Sequence, residues 1–204
     1  MNKCRFSTLL ALWALSAWSM AADHPQGDHH GHHHTQTPLP MASGVSGESL
    51  HQLDIQWQTH RGEALTLGDL AGRNVIVTMI YASCNTACPV LVQDVRRVYQ
   101  ALDAERRERT DLLVVSFDSE RDTPERLQRY AEGVGAVGPE WHFATASASD
   151  VRTLAALLGV RYRKNPQGGY DHSNLVAVLS PEGELVHRLE GLNQPAAGAL
   201  GHFR

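Results

Sequence analysis

An α/β sandwich is the fold class predicted for residues 49–192, and three observations predict it. Near-continuous apolar runs rich in β-branched residues alternate with amphipathic stripes of helical period. A two-stranded segment precedes the first such run, and a hairpin closes the series. "LDIQWQ" alternates apolar and polar residues at Leu53, Ile55 and Trp57, as a half-buried strand does, and "THRGEALTL" supplies its turn and return. "NVIVTMIY" reads as a central strand covered on both faces. After the two cysteines of "ASCNTACP", Leu91, Val95, Val98 and Leu102 mark a helix that runs out in the charges of "DAERRER". "DLLVVSF" is a second buried strand. Thr123 or Asp122 caps the next helix, with Pro124 in its first turn and Leu127, Tyr130, Ala131 and Val134 on its apolar stripe. "WHFAT" is a short strand. Ser147 and Asp150 bracket a further helix start, with Val151, Leu154, Ala155 and Leu158 facing inward. "NLVAVLS", the turn "PEG" and "ELVHRLEG" form the last hairpin. This order is that of a thioredoxin-like sandwich with an N-terminal β-hairpin extension. Residues 193–204, short and glycine-containing, predict a tail with a short C-terminal helix in place of a solid one.

The rest of the 204-residue chain reads differently. Lys3 and Arg5 precede the apolar run "LLALWALSAW", and Ser19 and Ala21 place small residues as a signal peptidase requires, so residues 1–21 are expected to be an export signal. The alternative is an uncleaved membrane anchor, for which the uncharged stretch from Phe6 to Ala22 is marginal, and only that alternative brings the protein into contact with a membrane. Residues 22–48 are rich in His, Pro, Gly, Ser and Thr without an apolar period, and are expected to be a disordered tail. A net charge of −4 without a basic stripe argues against a nucleic-acid partner. Three cysteines are too few for a disulfide-stapled scaffold, and cleavage would discard Cys4, leaving Cys84 and Cys88 in an exported, periplasmic-type compartment.

A strand-to-helix turn brings both sulfurs to the positive end of a helix, which favours thiolate. Pro89 fits there because first-turn N–H groups lack helical partners. The three-residue spacer between the cysteines suits either a disulfide or two thiolates gripping one ion. In a thioredoxin-type fold the loop entering the C-terminal hairpin lies against this turn. Redox thioredoxins carry a cis-proline there; "GGYDHSNLVAV" instead offers His172. Two thiolates and an imidazole suit either oxidation state of copper, and zinc also accepts that set.

Three stretches, CxxxCP after a central strand, "SFDSERDTPERLQRYA" at 116–131 and "YDHSNLVAVLSPEGELV" at 170–186, together resemble the Sco/SenC/PrrC family of copper-binding thioredoxin-fold proteins of cytochrome oxidase assembly. The resemblance covers residues 50–190. It implies Cu(I) or Cu(II) held by Cys84, Cys88 and His172. The family commonly has proline after the first cysteine; here Asn85 stands there, implying altered loop stiffness with binding retained. The resemblance implies a copper metallochaperone for an apo cuproprotein such as an oxidase subunit, or a thiol reductant that keeps the recipient's cysteines reduced. Other copper carriers or thiol reductants would be further partners, and turnover catalysis is not expected. Asp118, at a strand end near the dithiol, reads either as a supporting acceptor or extra oxygen ligand, or as an ordinary loop charge. The tail histidines His24, His29, His30, His32, His33 and His34 are expected to act as an auxiliary metal-collecting tract, with Ala22-Asp23-His24 a candidate Cu(II) terminus after cleavage.

Overall fold

A computed structural model describes residues 49–204. The expected export signal, the histidine tail and its six candidate ligands lie outside the described residues. Nine strands and five helices follow in the order β1 (Trp57–Thr59), β2 (Ala64–Leu65), β3 (Asn74–Ile80), α1 (Ala87–Gln100), α2 (Ala104–Glu108), β4 (Thr110–Ser116), α3 (Pro124–Gly133), β5 (Trp141–Thr145), α4 (Ala148–Leu158), β6 (Tyr162–Lys164), β7 (Tyr170–His172), β8 (Leu175–Leu179), β9 (Leu185–Glu190) and α5 (Ala197–Leu200).

Seven strands form one sheet in the order β2-β1-β5-β4-β3-β8-β9. The central β3, β4 and β5 are parallel; β1, β8 and β9 join antiparallel. Alternation sorts the side chains of each buried strand onto two faces. From β3, Val75, Val77 and Met79 pack with Leu113, Val115 and the α4 residues Val151, Leu154 and Leu158. Ile76 and Ile80 point the other way, to Leu112, Val114 and the α1 and α3 residues Leu91, Val95 and Leu127. Every residue of β3 and β4 is buried, which is why neither strand shows a polar face in the sequence. Leu113 is fully enclosed, so Leu113→Ala should cost about 2–5 kcal/mol, read as a lower midpoint in urea unfolding at unchanged slope.

Local chemistry sets the boundaries. Thr123 accepts the Arg126 N–H ahead of Pro124, and Ser147 accepts the Asp150 N–H, so both expected caps form. Gly159 ends α4 at φ 82°, a left-handed conformation in which any side chain would be strained. The strand expected from Leu53 starts only at Trp57, because β1 pairs with β2 and β5 over residues 57–59 alone and Leu50–Gln52 forms a 3-10 turn instead. The charged run after α1 forms a separate helix, capped by Asp103 through the Arg106 N–H.

The stretch before His172, a loop by sequence, instead contributes β7 to a hairpin with β6. The two strands pair only with each other, with Tyr162 opposite His172. Helix α5 is short, as expected, and the last residues close over one end of the sheet. Ala199 and Phe203 are buried on the α1 side, and Arg204 exchanges hydrogen bonds with the side chain of the buried Asn74. None of the described helices is long and apolar enough to cross a membrane.

Candidate metal centre

The centre assembles where the carboxyl end of β3 meets α1. Residues 81–86 link them, and neighbours pin that link from one side. The Ala82 N–H donates to Asp122 at 2.8 Å, and Arg126 donates to the Ser83 hydroxyl at 2.7 Å. Asp122, wholly buried, also accepts the Ser116 hydroxyl at 2.6 Å and pairs with Arg126 at 3.1 Å. Cys84 closes a turn by donating its N–H to Tyr81 O at 3.1 Å. Cys88 lies in the first turn of α1 and donates its N–H to Cys84 Sγ at 3.4 Å. Both thiols are free and buried.

His172 arrives from the hairpin. Its Nδ1 lies 3.1 Å from Ser173 O, a contact that requires Nδ1 to carry the proton, which leaves the Nε2 lone pair facing Cys88 Sγ at 3.8 Å. Aromatic rings box the imidazole: Phe117 at 5.2 Å and Tyr81 at 6.0 Å between centroids. The two sulfurs and one imidazole nitrogen all lie within 4.8 Å of one another, the one such cluster of three or more donors among the described residues. Donors around one ion at ordinary metal–sulfur and metal–nitrogen bond lengths stand roughly 3.5–4 Å apart, so this set needs little contraction to close on a metal. Soft thiolates with one imidazole fit copper, and leave zinc chemically admissible.

The sulfurs are electrostatically unequal. Burial works against the Cys84 thiolate, but the N–H groups of Cys88 and Thr86, with help from the Thr86 hydroxyl, overcome it and bring the thiol down to about 6. Burial pushes Cys88 strongly upward, and the neighbouring Cys84 and Asp122 add to that. The helix end thus activates one cysteine, where the sequence suggested both. In the reduced metal-free protein, thiolate ultraviolet absorbance should rise by one thiolate through a midpoint near pH 6, and Cys84→Ser should abolish that step. Because the Cys84 value is depressed in the fold, it contributes stability at alkaline pH that fades as pH falls through about 6. A first step in the unperturbed thiol range would contradict this assignment.

Asp118 is buried outside the donor cluster, with both oxygens engaged. One accepts the Tyr170 hydroxyl at 3.0 Å; the other pairs with Arg121 at 2.6 Å. It thereby supports β7 through Tyr170, two residues before His172. Burial and the Asp118 carboxylate push Tyr170 up to about 12, which keeps its hydroxyl a donor. Asp122, which the sequence offers only as a helix cap, and Tyr81 and Phe117, which it does not mark, shape the centre. The available signal for Asp122 was a second acid one residue before a helix cap; the aromatics gave none, because only the fold brings them to His172.

A thioredoxin-type sandwich, a dithiol at a strand–helix junction and an imidazole where redox thioredoxins place a cis-proline define a dithiol–histidine protein of the thioredoxin class; no peptide bond among the described residues is cis. The SCO1/SenC family model matches residues 46–200, and the chain belongs to that family. A candidate copper-binding protein of Stutzerimonas stutzeri is 30% identical over 122 residues, 57% of this chain and 57% of that one, so the match spans little more than half of that relative's length. The SCO1 homologue of Bacillus subtilis is 25% identical over 141 residues, 67% of this chain and 72% of its own. Yeast Sco1, solved with copper bound, superposes with a TM-score of 0.60 at 21% identity, covering 76% of this chain and 86% of that one, a likeness of fold.

Proposed function

We propose that the protein is an exported copper carrier that takes up one copper ion through Cys84, Cys88 and His172 and releases it to an apo cuproprotein, a subunit of cytochrome c oxidase being the foremost recipient. The observation that carries this reading is the convergence of two sulfurs and an imidazole nitrogen within 4.8 Å from sequence positions 84 residues apart. Copper is the cargo here. A nitrogen donor aimed at the buried sulfur completes a three-ligand set, which disulfide exchange by a dithiol does not require.

Family membership, and the copper-binding names and structures of relatives, support the same reading. Each donor has a separate part. Cys84, the less deeply buried of the two and already thiolate at neutral pH, meets incoming copper first. Cys88, protonated when metal-free, gives up its proton on binding, so uptake should release protons and weaken as pH falls. The test is titration of the full reduced protein with Cu(I) against a chromogenic chelator. One equivalent should bind, and Cys84→Ser and Cys88→Ser should each abolish stoichiometric retention. A protein that fails to hold copper against such a chelator is not a carrier.

The second reading, a thiol reductant for the recipient's ligand cysteines, is favoured by the same inequality of sulfurs. An activated thiolate beside a buried, protonated partner is the pair needed for attack and resolution in disulfide exchange. The expected tail ligands, His24 to His34, would feed the centre; deleting residues 22–43 should slow loading at limiting copper without changing the equivalents bound at the centre.

A further inference from the structure

A cavity of about 580 Å³ opens between α4 and the β6–β7 hairpin, beyond the carboxyl end of β4, on the far side of the aromatic wall from the dithiol. Crevices outside strand carboxyl ends are where open α/β sheets take ligands, and this volume is that of a small-molecule site. The half-buried Tyr162 gives it an aromatic floor, backed by the buried Phe117 stacked beneath at 4.8 Å and 17° and by Tyr170 edge-on to Phe117 at 5.1 Å. The helix side is kept open by Ala148, Ala155 and Ala156.

Charge at the rim is one-sided. Lys164 is neutralised by Glu120 at 2.6 Å, whereas the exposed Arg152 and Arg161 form no ion pair among the described residues. An aromatic floor and two uncommitted guanidinium groups complement one kind of small molecule: a flat apolar body bearing an anionic group.

We infer that this crevice binds a flat aromatic anion, and that its occupant is felt at His172 through Phe117. Phe117 forms the contact between the two sites, stacked on Tyr162 on one side and 5.2 Å from the His172 ring on the other. Coupling between the sites is then reciprocal: whatever repositions His172 changes affinity in the crevice by the same factor.

Anilinonaphthalene sulfonate, a fluorescent flat anion, is the probe. Titrated into the full-length, reduced, metal-free protein, it should bind saturably at one site and move the His172 ring signals in the NMR spectrum. Arg152→Glu with Arg161→Glu, both at exposed positions, should weaken it roughly tenfold or more through like-charge repulsion. Ala156→Trp, also exposed, should block it by filling the crevice. The uncharged phenylnaphthylamine should bind less tightly than the sulfonate. Absent saturable binding, or binding indifferent to both variants, overturns the site; binding that leaves His172 unmoved overturns the coupling. Copper is absent from the titration, so its outcome is separate from that of the carrier reading.

Discussion

His172→Ala is expected to lower Cu(I) affinity by about a hundredfold or more, since even losing an outer partner of a metal ligand costs about 10–100-fold. The nitrogen is one of three donors, and nothing nearby can replace it. Asp118, the adjacent carboxylate, has both oxygens committed to Arg121 and Tyr170. The same substitution should leave disulfide exchange nearly intact, because Cys84 owes its activation to the N–H groups of Cys88 and Thr86 and not to the imidazole. The variant thus separates the two readings. In cells, loss of recipient copper loading identifies the carrier; preserved loading, with copper retention in vitro destroyed, identifies the reductant. His172→Met, a soft donor on a flexible stem, should recover part of the Cu(I) affinity but not Cu(II) binding.

Asp122→Ala should destabilise the fold by about 2–4 kcal/mol, and should also loosen the dithiol link. The carboxylate is wholly buried and accepts the Ala82 N–H and the Ser116 hydroxyl. Removing it strands both donors, at about 1–3 kcal/mol for each buried group left unsatisfied. Its partner Arg126 reaches solvent, so the loss of the ion pair contributes less than a fully buried pair would. Asp122→Asn keeps an acceptor and should recover part of the stability. Urea unfolding gives the magnitude. Hydrogen exchange gives the location: the Ala82 amide should lose protection in the alanine variant, while the amides of β4 centred on Leu113 follow only the global change. Equal loss everywhere would mean that Asp122 supports the fold generally and has no particular hold on residues 81–86.

Much of this arrangement was legible before any coordinates. The central strands announced themselves because burial on both faces leaves only apolar residues, and the helices because each packs a single stripe. The cysteine pair stood at a strand–helix junction, and the histidine preceded a buried strand, so topology alone brought them together. Legibility failed where structure depends on a partner remote in sequence. Residues 53–56 have the alternation of a strand but no neighbour to pair with. Tyr162–Lys164 and Tyr170–His172 are too short, and too rich in exposed polar positions, to signal a hairpin, and they hold together through each other and through Phe117, Asp118 and Glu120. The inequality of the sulfurs was hidden for the same reason. It depends on which N–H groups reach Cys84, and on how deeply α1 buries Cys88.

The donor on the hairpin has one more consequence. Two of the three donor atoms ride on the link and helix following β3, while the third rides on a ribbon that shares no ladder bond with the seven-stranded sheet. An ion gripped by all three would join the β3–α1 junction to a ribbon that side chains alone otherwise hold, Tyr170 on Asp118 and Lys164 on Glu120 among them. Loading would add one more tie to that ribbon, and unloading would leave it on its side-chain contacts alone. A docking surface that includes Tyr162–His172 would therefore feel different to a recipient before and after unloading, with no rearrangement of the sheet beneath.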